Sequence, residues 1–152
     1  MPVEVTINQQ DIKYFADKIQ QLTLELPINE IANLLLAAIQ DNFESNGAYF
    51  QRGMEWSPLK PATIRDRLRH GYDSNSILRR EASHGGLMGR FIANVTDNSV
   101  SVSNNTSYAP YLHYGTKFMP SRLLFPDINN IGFPNELLND IMLVISNHIS
   151  IL

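Results

Sequence analysis

The chain has 152 residues, 43% apolar and 18% charged, with a formal net charge of −3 and no cysteine. Such a length predicts one domain, 1–152, with a sizeable core, and the composition is not that of a disordered chain. The lack of cysteine excludes disulfides, thiol nucleophiles and Cys-based zinc or iron–sulfur sites, and a pI near 5.7 argues against a dedicated nucleic-acid domain, whose pI usually exceeds about 9.

The N-terminus, MPVEVTINQQD, lacks the basic and apolar regions of a signal peptide. Within it VEVTI alternates and predicts a short first strand. Ile12, Phe15, Ile19 and Leu22 then recur at spacings of 3, 4 and 3, the stripe of an amphipathic helix over about Gln9–Leu24. Pro27 ends it. A second helix is expected over about Ile28–Ser45, with Ile28, Ile31, Leu35, Ile39 and Phe43 on one face. Leu34, Leu36 and Ala38 widen that face, which predicts burial on more than one side.

WSPLKP should be extended, because each proline disfavours a helical residue before it. Pro61 can start a third helix that runs to Gly71. That helix is expected to present Arg65, Arg67 and Arg69, with Ile64 and Leu68 on its apolar side. The turn-rich residues 71–86 read as a mobile loop or arm, with Arg79 and Arg80 inside it. RFIANV and VSVSNN alternate around Asp97–Ser99, an antiparallel hairpin. YAPYLHYGT reads as a tight turn begun by Pro110, and RLLFPD as a further strand. A last helix starts near Asn135, with Leu138, Ile141, Ile145 and Ile149 aligned. No apolar run, IMLVI and LLLAAI included, approaches the ~20 residues of a membrane span. Together these elements predict an α+β fold: an antiparallel sheet of about 3–5 strands packed by N-terminal helices and a C-terminal helix.

Signatures of catalysis are sparse. There is no phosphate loop, dinucleotide fingerprint, H-E-x-x-H or G-x-S-x-G. None of the four histidines has a second His or a carboxylate at i+3 or i+4 that would preset a metal site on one helical face, since Asp73 follows His70 only past the helix stop at Gly71. His84 and His148 read as surface residues, and Asp66 with Arg65 and Arg69 as a solvated helix face. Glu136 and Asp140 suit a helix N-terminus. A hydrolase using His113 with Asp127 or Glu55 is the enzymatic alternative, and a host-encoded adaptor is a second. Trp56, the only tryptophan, fits either the core or an interface. The charge is also divided: residues 1–51 hold two basic and seven acidic residues, whereas 52–90 hold eight basic and four acidic. These portions offer two complementary patches.

Four motifs occur in order: WSPLKPATI, ILRR with a downstream GGLMGRF, SYAPYLHYGT, and MPSRLLFP. The set resembles the phage virion-morphogenesis, or tail-completion, family and the related head–tail joining proteins. The likeness covers roughly Gly53–Asp127. It implies a non-enzymatic structural subunit without cofactor or metal. Such a subunit would be made in the bacterial host cytoplasm and built into the virion as a ring, with six copies the number implied. Its partners would be itself, the head–tail connector and tail-tube proteins, with no membrane and no specific nucleic acid. The interface candidates are Trp56, Arg65, Arg67, Arg69, Arg79, Arg80, Tyr111, His113, Tyr114 and Arg122.

Overall fold

Five helices and one β-hairpin make up the α+β architecture of the computed structural model, which describes residues 8–24, 26–80, 86–127 and 129–151. The strand expected over residues 3–7 and the loop residues 81–85, His84 included, lie outside the described residues. The helices α1 (Gln9–Leu24) and α2 (Ile28–Glu44) fall where their apolar periodicity places them. Pro61 begins α3 (Pro61–Arg69), with Lys60 before it extended at φ −65°, ψ 145°. The hairpin pairs β1 (Phe91–Val95) with β2 (Val100–Asn104), Val95 opposite Val100, and closes through Thr96 N donating to Ser99 O at 2.9 Å. The short α4 (Ala109–Tyr114) and the long α5 (Asn135–Ile151) complete the chain.

α2 is the centre of the fold. It packs against both strands of the hairpin and against α5, as its broad apolar surface predicts. Ala38, Ile39 and Phe43 of α2 join Phe50, Trp56, Ile77, Leu87, Ala109, Leu124 and Leu137 in one buried cluster. Aromatic rings link its parts: Phe43 meets Trp56 and Phe91 edge-on at 5.3 and 5.7 Å, and Phe91 meets Phe125 at 5.5 Å, within the range of favourable aromatic pairs.

Four local expectations change. Among the described residues the sheet has two strands, because RLLFPD is not a strand. Its backbone groups are already engaged: Arg122 N donates to Leu112 O, Leu124 N to the His113 ring, and Leu123 O accepts from two side chains. YAPYLHYGT is a helical turn and a half rather than a tight turn, with Pro110 in its first turn and Gly115 ending it. In α3 two residues trade places: Arg67 is buried and Leu68 exposed, while Arg65 and Arg69 face outward and Ile64 is half-buried as expected. In α5 the core residue is Leu137, while Leu138 and Ile149 of the expected stripe face outward.

Candidate functional site

The last turn of α2 gathers segments that are far apart in sequence. Asn42 is fully buried. Its Oδ1 accepts from Phe50 N at 3.0 Å and its Nδ2 donates to Leu123 O at 3.3 Å. Trp56 Nε1 donates to the same carbonyl at 3.1 Å. A buried amide or indole N–H without a partner costs about 1–3 kcal/mol, so these bonds fix where the 121–125 segment can lie. Two residues past the helix, Asn46 adopts φ +52°. Its carbonyl accepts from Trp56 N at 2.7 Å and its Oδ1 from Ile77 N at 2.9 Å. Gly47 follows at φ +91°, and a Cβ there would stand 2.4–2.6 Å from atoms of the Trp56 ring. Only glycine fits both that backbone and that contact.

Two arginines extend the framework. Arg122 reaches back 65 residues: Nε and Nη2 donate to Ser57 O at 3.2 and 3.0 Å. This joins the PSRLLF and WSPLKP segments directly. Arg67 Nη1 donates to Asp73 O at 3.0 Å and Ser76 O at 2.6 Å, which ties down the first part of the 71–86 loop. Both guanidiniums are buried and both are held by carbonyl oxygens. Burial is the first cause lowering their pKa; Asp73 opposes it at Arg67, and Arg67 adds to it at Arg122. The inward turn of Arg67 follows from those two carbonyls, which need a donor as the chain leaves α3.

His113 is a structural acceptor. Its Nδ1 accepts from Leu124 N at 3.0 Å, which fixes the neutral ring with its proton on Nε2. Burial pulls its pKa below the ordinary value, and Asp127 opposes this weakly. Asp127 is itself engaged by Asn129 N, Asn130 N and Asn130 Nδ2, bonds that lower its pKa. The His113 carbonyl accepts from Ser121 Oγ at 2.5 Å. Gly115, at φ +75°, lies so close to the 119–121 segment that a Cβ would be 2.7 Å from Ser121 N.

The ten candidate residues therefore divide by depth. Trp56, Arg67 and Arg122 are buried; Arg79 and His113 are half-buried; Arg65, Arg69, Arg80, Tyr111 and Tyr114 are exposed. Arg80 lies over the Tyr72 ring at 4.5 Å, and Arg67, Arg79 and Arg80 line one cavity of about 360 Å³. Asp66 pairs with His70 at 3.3 Å, where Arg69 was expected. Tyr114 and Phe118 are each 80% exposed, and Tyr111 is 60% exposed. Among the described residues no group of three or more His, Asp or Glu side chains could hold a metal, and no helix is long and apolar enough to cross a membrane.

Sequence reasoning missed Asn42, Asn46 and Gly47. A polar Asn42 at i+4 from Ala38 and i+3 from Ile39, on the apolar face of α2, was the available signal. The SNG that follows reads as a helix stop and conceals a second duty.

The phage virion morphogenesis family matches residues 7–138. No curated protein and no solved structure matches the chain. The match spans most of the sequence, and the chain belongs to the phage virion morphogenesis family.

Proposed function

We propose that this chain is a tail-completion or head–tail joining subunit that self-associates into a closed ring at the neck or tail end of the virion. Membership of a virion morphogenesis family implies a structural role in building the particle rather than catalysis. The observation that carries the finer reading is how the motif residues are used. Trp56, His113 and Arg122 of the motifs, and Arg67 between them, bond backbone groups of the same subunit. They hold a shape, while exposed apolar and aromatic side chains of α1, α4 and α5 supply surface for association. A ring requires two different, complementary patches on each subunit. Exposed Arg65 and Arg69 remain available to the basic patch, whereas Arg67 is committed internally. The partners on this reading are neighbouring copies, the head–tail connector and tail-tube proteins.

The test is genetic and visual. The gene is deleted from the phage or prophage that carries it, and induced lysates are examined by electron microscopy. Separate filled heads and free tails are expected, with joining restored by the gene in trans. Intact, infectious particles from the deletion strain would overturn the proposal.

A further inference from the structure

Among the described residues, α1 exposes an apolar stripe. Ile12 and Phe15 are 60% and 67% exposed, Tyr14 beside them is 65% exposed, and Ile19 is half exposed. An amphipathic helix draws most of its stability from packing its apolar face. The outer side of α5 presents the matching feature. Leu138, Met142, Leu143 and Ile149 are 42–61% exposed, although Leu137 on the inner side enters the core. The exposed residues Leu138, Met142 and Ile149, with half-buried Ile145 between them, repeat at 4, 3 and 4. That is the seam spacing of packed helices, and the α1 stripe has the same spacing of 3 and 4. The helices also match in length: 16 and 17 residues each make a rod of about 25 Å.

Charge permits the same pairing, since α1 is net neutral and α5 has a net charge of −2. α5 carries the carboxylates Glu136 and Asp140 and neither Lys nor Arg. α1 carries Lys13 and Lys18, the only basic residues among the first 51, together with Asp11 and Asp17.

We infer that α1 of one copy packs its Ile12–Phe15 stripe along the outer Leu138–Met142–Ile149 stripe of α5 in the next copy. The contact joins two different surfaces, so it repeats from copy to copy and closes if the rotation permits. It rests on the self-association in the proposed function and names the surfaces that carry it.

The cysteine-free chain makes the test clean. Phe15→Cys and Met142→Cys each place one thiol near the middle of an exposed stripe, so the two meet whichever way the helices run. A disulfide needs Cβ atoms about 3.5–4.5 Å apart. The single variants are mixed, oxidised and run on a non-reducing gel beside each variant alone. A dimer band in the mixture only, and a ladder from F15C/M142C in one chain, are expected. Dimers of Phe15→Cys alone would overturn the inference in favour of α1 against α1. A purely intramolecular link in the double variant, or no link at all, would also overturn it. Light scattering separates the two proposals. Assembly of the wild type without a 15–142 link removes this pairing and leaves the ring standing. A link formed by a protein whose deletion leaves virions intact removes the proposed function and leaves the pairing.

Discussion

α1 and α2 have nearly the same stripe in sequence and opposite fates in the structure. Ile12, Phe15 and Ile19 recur at 3 and 4, as do Ile28, Ile31 and Leu35. Yet Phe43 at the end of α2 is fully buried, whereas Phe15 on α1 is two-thirds exposed. An amphipathic pattern states that a face needs cover; it does not state whether the cover comes from the same chain. The α2 face is covered by the hairpin and α5. The last turn of α2 and the segment that follows it then become the anchor for WSPLKP, for RLLF and for the loop after α3.

If α2 and its surroundings are the framework and α1 is an assembly surface, substitutions in the two regions should behave oppositely. The largest loss of subunit stability is expected from Trp56→Ala. It removes a buried ring from Phe43 and Gly47 and leaves the Leu123 carbonyl one donor short, a cost of about 3–5 kcal/mol, read from urea unfolding. Gly47→Ala should be similarly damaging because its Cβ meets that ring. A variant of either kind with wild-type stability would remove Trp56 from the framework.

Arg122→Met comes next. It keeps most of the packing volume and removes the bonds to Ser57 O, and hydrogen bonds to charged groups contribute about 1.5–3 kcal/mol each. The same unfolding measurement should show that loss. A change near zero would make the Arg122 link incidental to the joining of the two segments.

His113 gives a smaller, pH-dependent effect. Its folded pKa is depressed, so below the ordinary value of about 6.5 the unfolded chain takes up a proton that the native ring resists. Stability therefore falls as pH drops through that value toward the folded pKa. His113→Gln should flatten thermal stability between pH 5 and 7. Asp73 and Asp127, whose pKa values are also lowered, act at more acid pH, as their carboxylates protonate. An unchanged slope in the variant would mean that other groups set the pH dependence.

The smallest effect on the subunit is expected from Phe15→Ser. An exposed position away from the core should alter unfolding by no more than about 0.5 kcal/mol, while the mass in solution falls to that of one chain. Loss of several kcal/mol at constant monomer mass would place Phe15 in the subunit core and erase the contrast between the two helices.

Much of this arrangement was legible from local pattern. The 3- and 4-residue spacing located α1, α2 and α5; Pro61 and Gly71 bounded α3; alternation about Asp97–Ser99 located the hairpin. The four ordered motifs pointed to the family that matches residues 7–138. These features depend on neighbours within a few residues, which the sequence displays directly. Tertiary structure decided which of three alternating arginines turns inward, why RLLF is held by side chains instead of a ladder, and which edge of α5 enters the core. Each of those outcomes depends on a partner distant in the chain or across the fold. Asn42 and Trp56 find Leu123 from 81 and 67 residues away, and Arg122 finds Ser57 from 65. The physical reason is that a buried polar group must be satisfied wherever the fold can supply a partner, and local periodicity carries no information about that place.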